Sequence, residues 1–130
     1  MTTKELFDAI LRKPDLHSVP QLFDHILIWR LYENAYIQAF CNDGDTSIDV
    51  MGDSLLTGSV MHWHPDEEDM VDQLYALGKK GNLLVLKKTL LGTSVFYSGP
   101  SEDFPLTEKT PLHLGRKKLD GGRLIYFEQK

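Results

Sequence analysis

The sequence predicts an α+β fold: one domain spanning residues 1–130, built on a mainly antiparallel sheet with two or three helices packed on one face. Three observations lead there. Alternating segments separated by turn residues recur, above all AYIQAF–CNDGD–TSIDVM. One strong helical pattern follows His64, and the run NLLVLKK after it is apolar on both faces, as an interior strand requires. The length of 130 residues is enough to bury one core.

The elements follow in order. Thr2 and Glu5 stand at capping-box spacing, and Leu6, Phe7, Ile10 and Leu11 repeat on one helical face, giving a short helix that ends near Lys13. Ser18 then offers an N-cap and Pro20 a first-turn residue, which predicts a short helix passing into a strand. For HILIWRLY, from His25 to Tyr32, the pattern admits helix or strand. AYIQAF and TSIDVM alternate around Asp43–Gly44, the dipeptide suited to a turn at positive φ, so they form a hairpin. SLLTGSVMHW reads as the next strand, with a bend or bulge at Gly58.

Met70, Val71, Leu74, Tyr75 and Gly78 then share a helical face. Pro65 stands inside the start of this helix, Asp66–Asp69 in its first turn, Lys79 and Lys80 in its last, and Gly81 just beyond. NLLVLKK is the interior strand, Leu90–Thr93 a turn, and SVFYSG the returning strand. Residues 99–111 carry three prolines and read as a loop. A final hairpin, PLHLGRKKL and RLIYFEQ, turns at Asp120–Gly122.

Composition restricts the class. The longest apolar runs, ILIW and LLVL, fall far short of the roughly 20 residues a membrane-spanning helix needs. The N-terminal stretch mixes charges with apolar residues at helical spacing, which is not the pattern expected of a secretory signal. Cys41 is alone, so no internal disulfide forms, and a reducing, cytoplasmic setting is expected. The net charge of −5 divides unevenly: residues 1–70 hold 13 acids and 4 bases, residues 71–130 hold 6 acids and 10 bases. An acidic chain of this kind repels phosphate, so nucleic acid is not an expected partner.

The stretch HWHPDEED, His62–Asp69, concentrates the chemistry. Residues i and i+2 of a strand share a face, so His62 and His64 project together if the strand reaches them. Imidazole suits zinc, iron or copper, and Glu68 offers a carboxylate, which makes His62, His64 and Glu68 a candidate metal set. His17, His25 and His113 are further candidate ligands. The spacing also matches a fragment of the cupin metal motif, but there the Glu lies on a continuing strand and a Gly follows at a set distance. Here Glu68 falls at a helix start and the next Gly is Gly78, so the match ends at seven residues. A helix-start reading accounts for every residue without metal: His64 is the N-cap, Pro65 is N1, and Asp66, Glu67 and Glu68 meet free N–H groups.

Other signals are weaker. No nucleophile elbow, P-loop or dinucleotide glycine motif is present. Cys41 reads as a small buried hydrophobe, and Asp45 and Asp49 lack the spacing of a calcium loop. Phe96 and Tyr97 are adjacent and should point to opposite faces, as should Tyr126 and Phe127. Arg116, Lys117, Lys118 and Arg123 suit the protection of an edge hairpin. The resulting expectation is a non-enzymatic binding module, needing no cofactor, of an accessory, inhibitor or immunity type. It would hold a protein partner through the acidic residues Asp43, Asp45, Asp49 and Asp53; an exposed edge strand or apolar patch, at a surface the sequence does not specify, is a separate route to a homodimer. The competing expectation is a small metal-dependent enzyme or ligand binder using His62 and His64.

Overall fold

The computed structural model describes residues 1–52, 59–104, 116–119 and 122–130, with the side chains of 59, 116–119, 122 and 123 left aside. It is mainly antiparallel β structure with two α-helices, and the strands form two sheets rather than one. Helix α1 (Thr3–Leu11) opens with the expected capping box: the Thr2 hydroxyl accepts from the Glu5 backbone N–H, and the Glu5 carboxylate accepts from that of Thr2. Two orphan donors are thereby satisfied, which typically stabilises a helix by about 1 kcal/mol.

The segment after α1 departs from expectation. It contains no helix. Strands β1 (Gln21–Phe23) and β2 (Ile26–Trp29) pair as a tight hairpin, with Asp24 at φ 57 in the turn. The decisive contact is tertiary. Trp29 is fully buried, and its indole N–H donates to the Ser18 carbonyl and hydroxyl oxygens at 3.1 and 3.0 Å. Ser18 therefore serves this indole and caps no helix. Propensity for so short a segment is a weak guide once a large side chain has a core to enter.

Strands β3 (Ala35–Asn42) and β4 (Asp45–Gly52) form the expected hairpin. Asp43 and Gly44 both take positive φ, 46 and 90, the conformation of a two-residue turn whose twist matches its strands. Strand β5 (Ser59–Trp63) pairs with β4 and completes a five-stranded sheet in the order β1-β2-β3-β4-β5. A register shift lies between Val50 and Met51 on β4; the expected irregularity at Gly58 falls outside the described residues.

After β5, Pro65 interrupts strand pairing because it has no N–H to give. A 3₁₀ turn at Glu67–Asp69 leads into α2 (Met70–Gly78). The helix thus begins five residues later than a Pro65 start implies, and its last turn carries no base. Strand β6 (Asn82–Thr89) lies between β7 (Gly92–Pro100) and β9 (Gly122–Glu128), with β8 (Arg116–Leu119) outside β9. Interior placement of β6 is as its composition requires. The proline-rich segment is partly regular: Pro100 ends β7 and Ser101–Asp103 form a 3₁₀ turn, while residues 105–115 lie outside the description. The closing turn at residues 120–121 does too.

The main core takes Leu6 and Ile10 from α1, Leu74 and Leu77 from α2, the inner residues of β2, β3 and β4, and Leu84, Leu86 and Phe127 from the second sheet. Gly78 allows the closest approach. A Cβ there would stand 1.9 Å from Cη2 of Trp29, so only glycine lets α2 lie against that indole. A smaller cluster of Leu83, Val85, Leu124 and Tyr126, capped by Phe104, fills the other face of the second sheet. Tyr126 and Phe127 accordingly face opposite ways, into the small and main clusters. Phe96 and Tyr97 do not: both rings contact Phe104, at 6.3 and 4.9 Å. The register skips Phe96 between Val95 and Tyr97, and such a bulge swings an extra residue out of alternation.

No helix among the described residues is long and apolar enough to cross a membrane.

Candidate functional site

Strand β3 alternates without exception. Ala35, Ile37, Ala39 and Cys41 are buried, whereas Tyr36, Gln38 and Phe40 are half-exposed and Asn42 exposed. Strand β4 repeats the pattern with Thr46, Ile48 and Val50 inside. The core therefore packs against one face of the five-stranded sheet. None of the outward residues of β2, β3 and β4 is buried.

Register places a polar row across that outer face. Ile28 pairs with Gln38, Gln38 with Asp49, and Asp49 with His62. His64 continues the same side, its ring centre 5.5 Å from that of His62 in a T-shaped contact. Trp63 points the other way and packs against the core, its indole N–H donating to Gln73 Oε1 at 3.0 Å. Sequence alternation thus placed the two histidines together.

His64 is held by its ring. Nδ1 lies 2.6 Å from the Thr46 carbonyl oxygen. A carbonyl only accepts, so Nδ1 carries the proton and Nε2 of the neutral ring keeps a free lone pair. Thr46 is buried, and its hydroxyl donates to the Pro65 carbonyl, which fixes the chain on both sides of the ring. His64 consequently caps no helix. Asp49 sits half-buried opposite His62; burial pushes its carboxyl above the ordinary range, and the neighbouring imidazoles His62 and His64 pull it back.

The acids of the motif go elsewhere. Glu67 accepts from the N-terminal ammonium of Met1, tying the 3₁₀ turn to the chain start. This contact raises the ammonium's pKa, chiefly through the hydrogen bond it donates to Glu67. Asp66, Glu68 and Asp69 are exposed and form the one group of three metal-capable side chains, among the described residues, with donor atoms within 4.8 Å of each other. Glu68 thus keeps company with two aspartates rather than with His62 and His64. His25 lies at the β1–β2 turn, 3.4 Å from Asp24 and at the opposite edge of the sheet. The His17 backbone N–H donates to the Gly78 carbonyl beside the end of α2. His113 lies outside the described residues.

The acidic set is spread along one hairpin. Asp43 and Asp45 are exposed at its tip, and Asp49 lies four residues farther along β4, roughly 13 Å away at 3.3 Å per residue. Asp53 falls outside the described residues. Asp24, which sequence reasoning passed over, stands at the same end, where it lines a cleft of about 460 Å³ with His25, Phe40 and Asn42. No sequence signal marked it, because the segment read as a helix passing into a strand and the tight turn at Asp24 is seen only in the structure. Gln38 was missed as well, since only strand register shows that it neighbours Asp49.

An apolar cleft of about 480 Å³ lies between β5, α2 and β7, lined by Met61, Trp63, Leu77, Leu84 and Val95. Met61 and Trp63 alternate with His62 and His64, so the strand turns the imidazoles away from this cavity. Cys41 is buried: its backbone N–H donates to the Thr3 hydroxyl at 2.9 Å, and its thiol donates to the Met1 carbonyl at 3.3 Å. Burial raises the thiol's pKa, the reverse of what activates a nucleophile.

Compared with protein-family models, curated proteins and solved structures, the chain matches none.

Proposed function

We propose that this protein is a non-enzymatic interaction module that holds a protein partner on the outer face of its five-stranded sheet, with the acidic hairpin end steering the approach. The observation that carries this reading is the unburied outer face itself. It mixes apolar contact area from Ile26, Ile28, Tyr36 and Phe40 with polar groups from Gln38, Asp49 and His62. Interfaces of this composition combine aromatic and aliphatic anchors with a few placed polar groups. Asp24, Asp43 and Asp45 at one end supply negative potential, which raises encounter rates with a basic partner and is screened by salt.

The reading is preferred over catalysis on placement. Both histidines lie on an open sheet face, their strand sends them away from the nearby apolar cavity, and the one thiol is buried with a raised pKa. An immobilised wild-type chain should retain a partner from lysate at 0.05 M salt and shed it at about 0.5 M, as expected for steering through exposed carboxylates. The variant Gln38→Arg with Asp43→Asn and Asp45→Asn should retain none while keeping wild-type circular dichroism. Equal retention by that variant would refute the assignment to this face. A species of twice the mass in size-exclusion chromatography, abolished by the same changes, would make the partner a second copy.

A further inference from the structure

We infer that Asp49, His62 and His64 form a binding site for a divalent transition-metal ion of the zinc, nickel or copper type on the outer face of the sheet. The inference is independent of the partner reading and concerns a donor set that combines the two strands β4 and β5.

The spacing of the two rings fits two of the donors. Two imidazoles bound to one tetrahedral ion, with metal–nitrogen distances of about 2.0–2.1 Å, place their ring centres roughly 5 Å apart. The rings of His62 and His64 stand at 5.5 Å. The tautomer of His64 is already set, because Nδ1 donates to the Thr46 carbonyl at 2.6 Å and leaves Nε2 as the free donor. Metal-bound histidines are commonly held this way, with the second ring nitrogen on a backbone carbonyl that fixes the ring.

Asp49 provides the anionic donor. It is the direct cross-strand partner of His62, and opposed residues in an antiparallel pair have Cβ atoms about 4.5–5.5 Å apart. The three donor atoms do not yet stand within 4.8 Å of one another, a condition met by Asp66, Glu68 and Asp69. Closing the set requires rotation of side chains, and His62 is free to rotate: it is exposed and lies on β5, the edge strand of the sheet. Fixing such rotamers costs a modest amount of entropy, which two nitrogen donors and a carboxylate offset. Water completes the coordination sphere. Mixed nitrogen and oxygen donors suit borderline ions, and copper should bind more tightly than nickel or zinc.

Calorimetric titration of the metal-free 130-residue chain with zinc sulfate tests this. One ion per chain is expected. His62→Ala and His64→Ala should each weaken binding by about tenfold or more, and Asp49→Asn by a smaller factor. Circular dichroism of each variant should match wild type, since all three groups lie off the core. Three results would overturn the site: no saturable zinc binding, undiminished binding by the His62→Ala, His64→Ala double variant, or binding lost instead on Asp66→Asn, Glu68→Gln and Asp69→Asn. Partner capture repeated in the presence of a chelator separates the two readings, because the interaction module is expected to work without metal.

Discussion

The two sheets use their faces differently. In the five-stranded sheet, β3 buries every second residue and leaves Tyr36, Gln38 and Phe40 facing outward. In the four-stranded sheet, β6 buries five residues in succession, Asn82 to Leu86. Leu84 and Leu86 enter the main core while Leu83 and Val85 enter the small cluster under Phe104. A strand covered on both sides has no face to offer a partner, whereas one covered on a single side does. The contrast is why the proposed function is placed on the first sheet, whose outer side is uncovered, rather than on β6 of the second.

Mutations test the contrast most severely on adjacent residues. Leu84→Ala and Val85→Ala should both destabilise, the leucine by about 2–5 kcal/mol, because each empties a different cluster. On β3 the neighbours should separate. Ile37→Ala should cost about 2–5 kcal/mol, whereas Gln38→Ala should stay within roughly 0.5 kcal/mol. Urea denaturation measures all four. If Gln38→Ala proves as costly as Ile37→Ala, the outer face is covered and the distinction between the sheets collapses.

Next in size is Gly78→Ala. Glycine to alanine in a helix ordinarily stabilises by about 0.5–1 kcal/mol. Here the new methyl meets the Trp29 ring, so a loss of roughly 1–3 kcal/mol is expected from overpacking. A thermal midpoint equal to or above wild type would show that α2 can lift from β2 without penalty.

Tyr32→Phe should have a smaller effect of opposite sign. The Tyr32 hydroxyl is buried without a hydrogen-bond partner among the described residues, while its ring packs 5.5 Å from Phe127. Deleting an oxygen desolvated in this way should leave stability unchanged or raise it by up to about 1–2 kcal/mol. A clear loss in the same denaturation assay would mean that the hydroxyl has a partner.

The smallest effect concerns Cys41 and pH. Burial holds the folded thiol's pKa above its ordinary value of about 8.5. Below that pH both folded and unfolded chains keep the proton. As pH rises from there towards the folded value, the unfolded chain ionises first and stability falls. Cys41→Ala should flatten this alkaline decline, a change visible in thermal midpoints followed upward from the ordinary thiol pKa. An unchanged slope would indicate that the thiol ionises freely in the native state.

Much of the local structure was legible in the residues themselves. The Thr2–Glu5 capping box, the Asp43–Gly44 turn and the two-sided apolar character of β6 each express an interaction complete within a few positions. The pairing of His62 with His64 belongs to the same class, because alternation along one strand is a local rule. Failures arose where distant partners intervene. Ser18 looks like a helix cap until Trp29 claims it, and His64 looks like one until the Thr46 carbonyl takes its ring. Phe96 breaks alternation because its strand bulges.

The sequence by itself determined the α+β character, most turns and the strand that sets the two imidazoles side by side. Only the tertiary structure decided that there are two sheets, that Asp49 rather than Glu68 faces His62, and that one sheet keeps an open face. The physical reason is range: caps, turns and alternation are settled by neighbours in the chain, whereas strand register and the burial of a face depend on segments far apart in sequence.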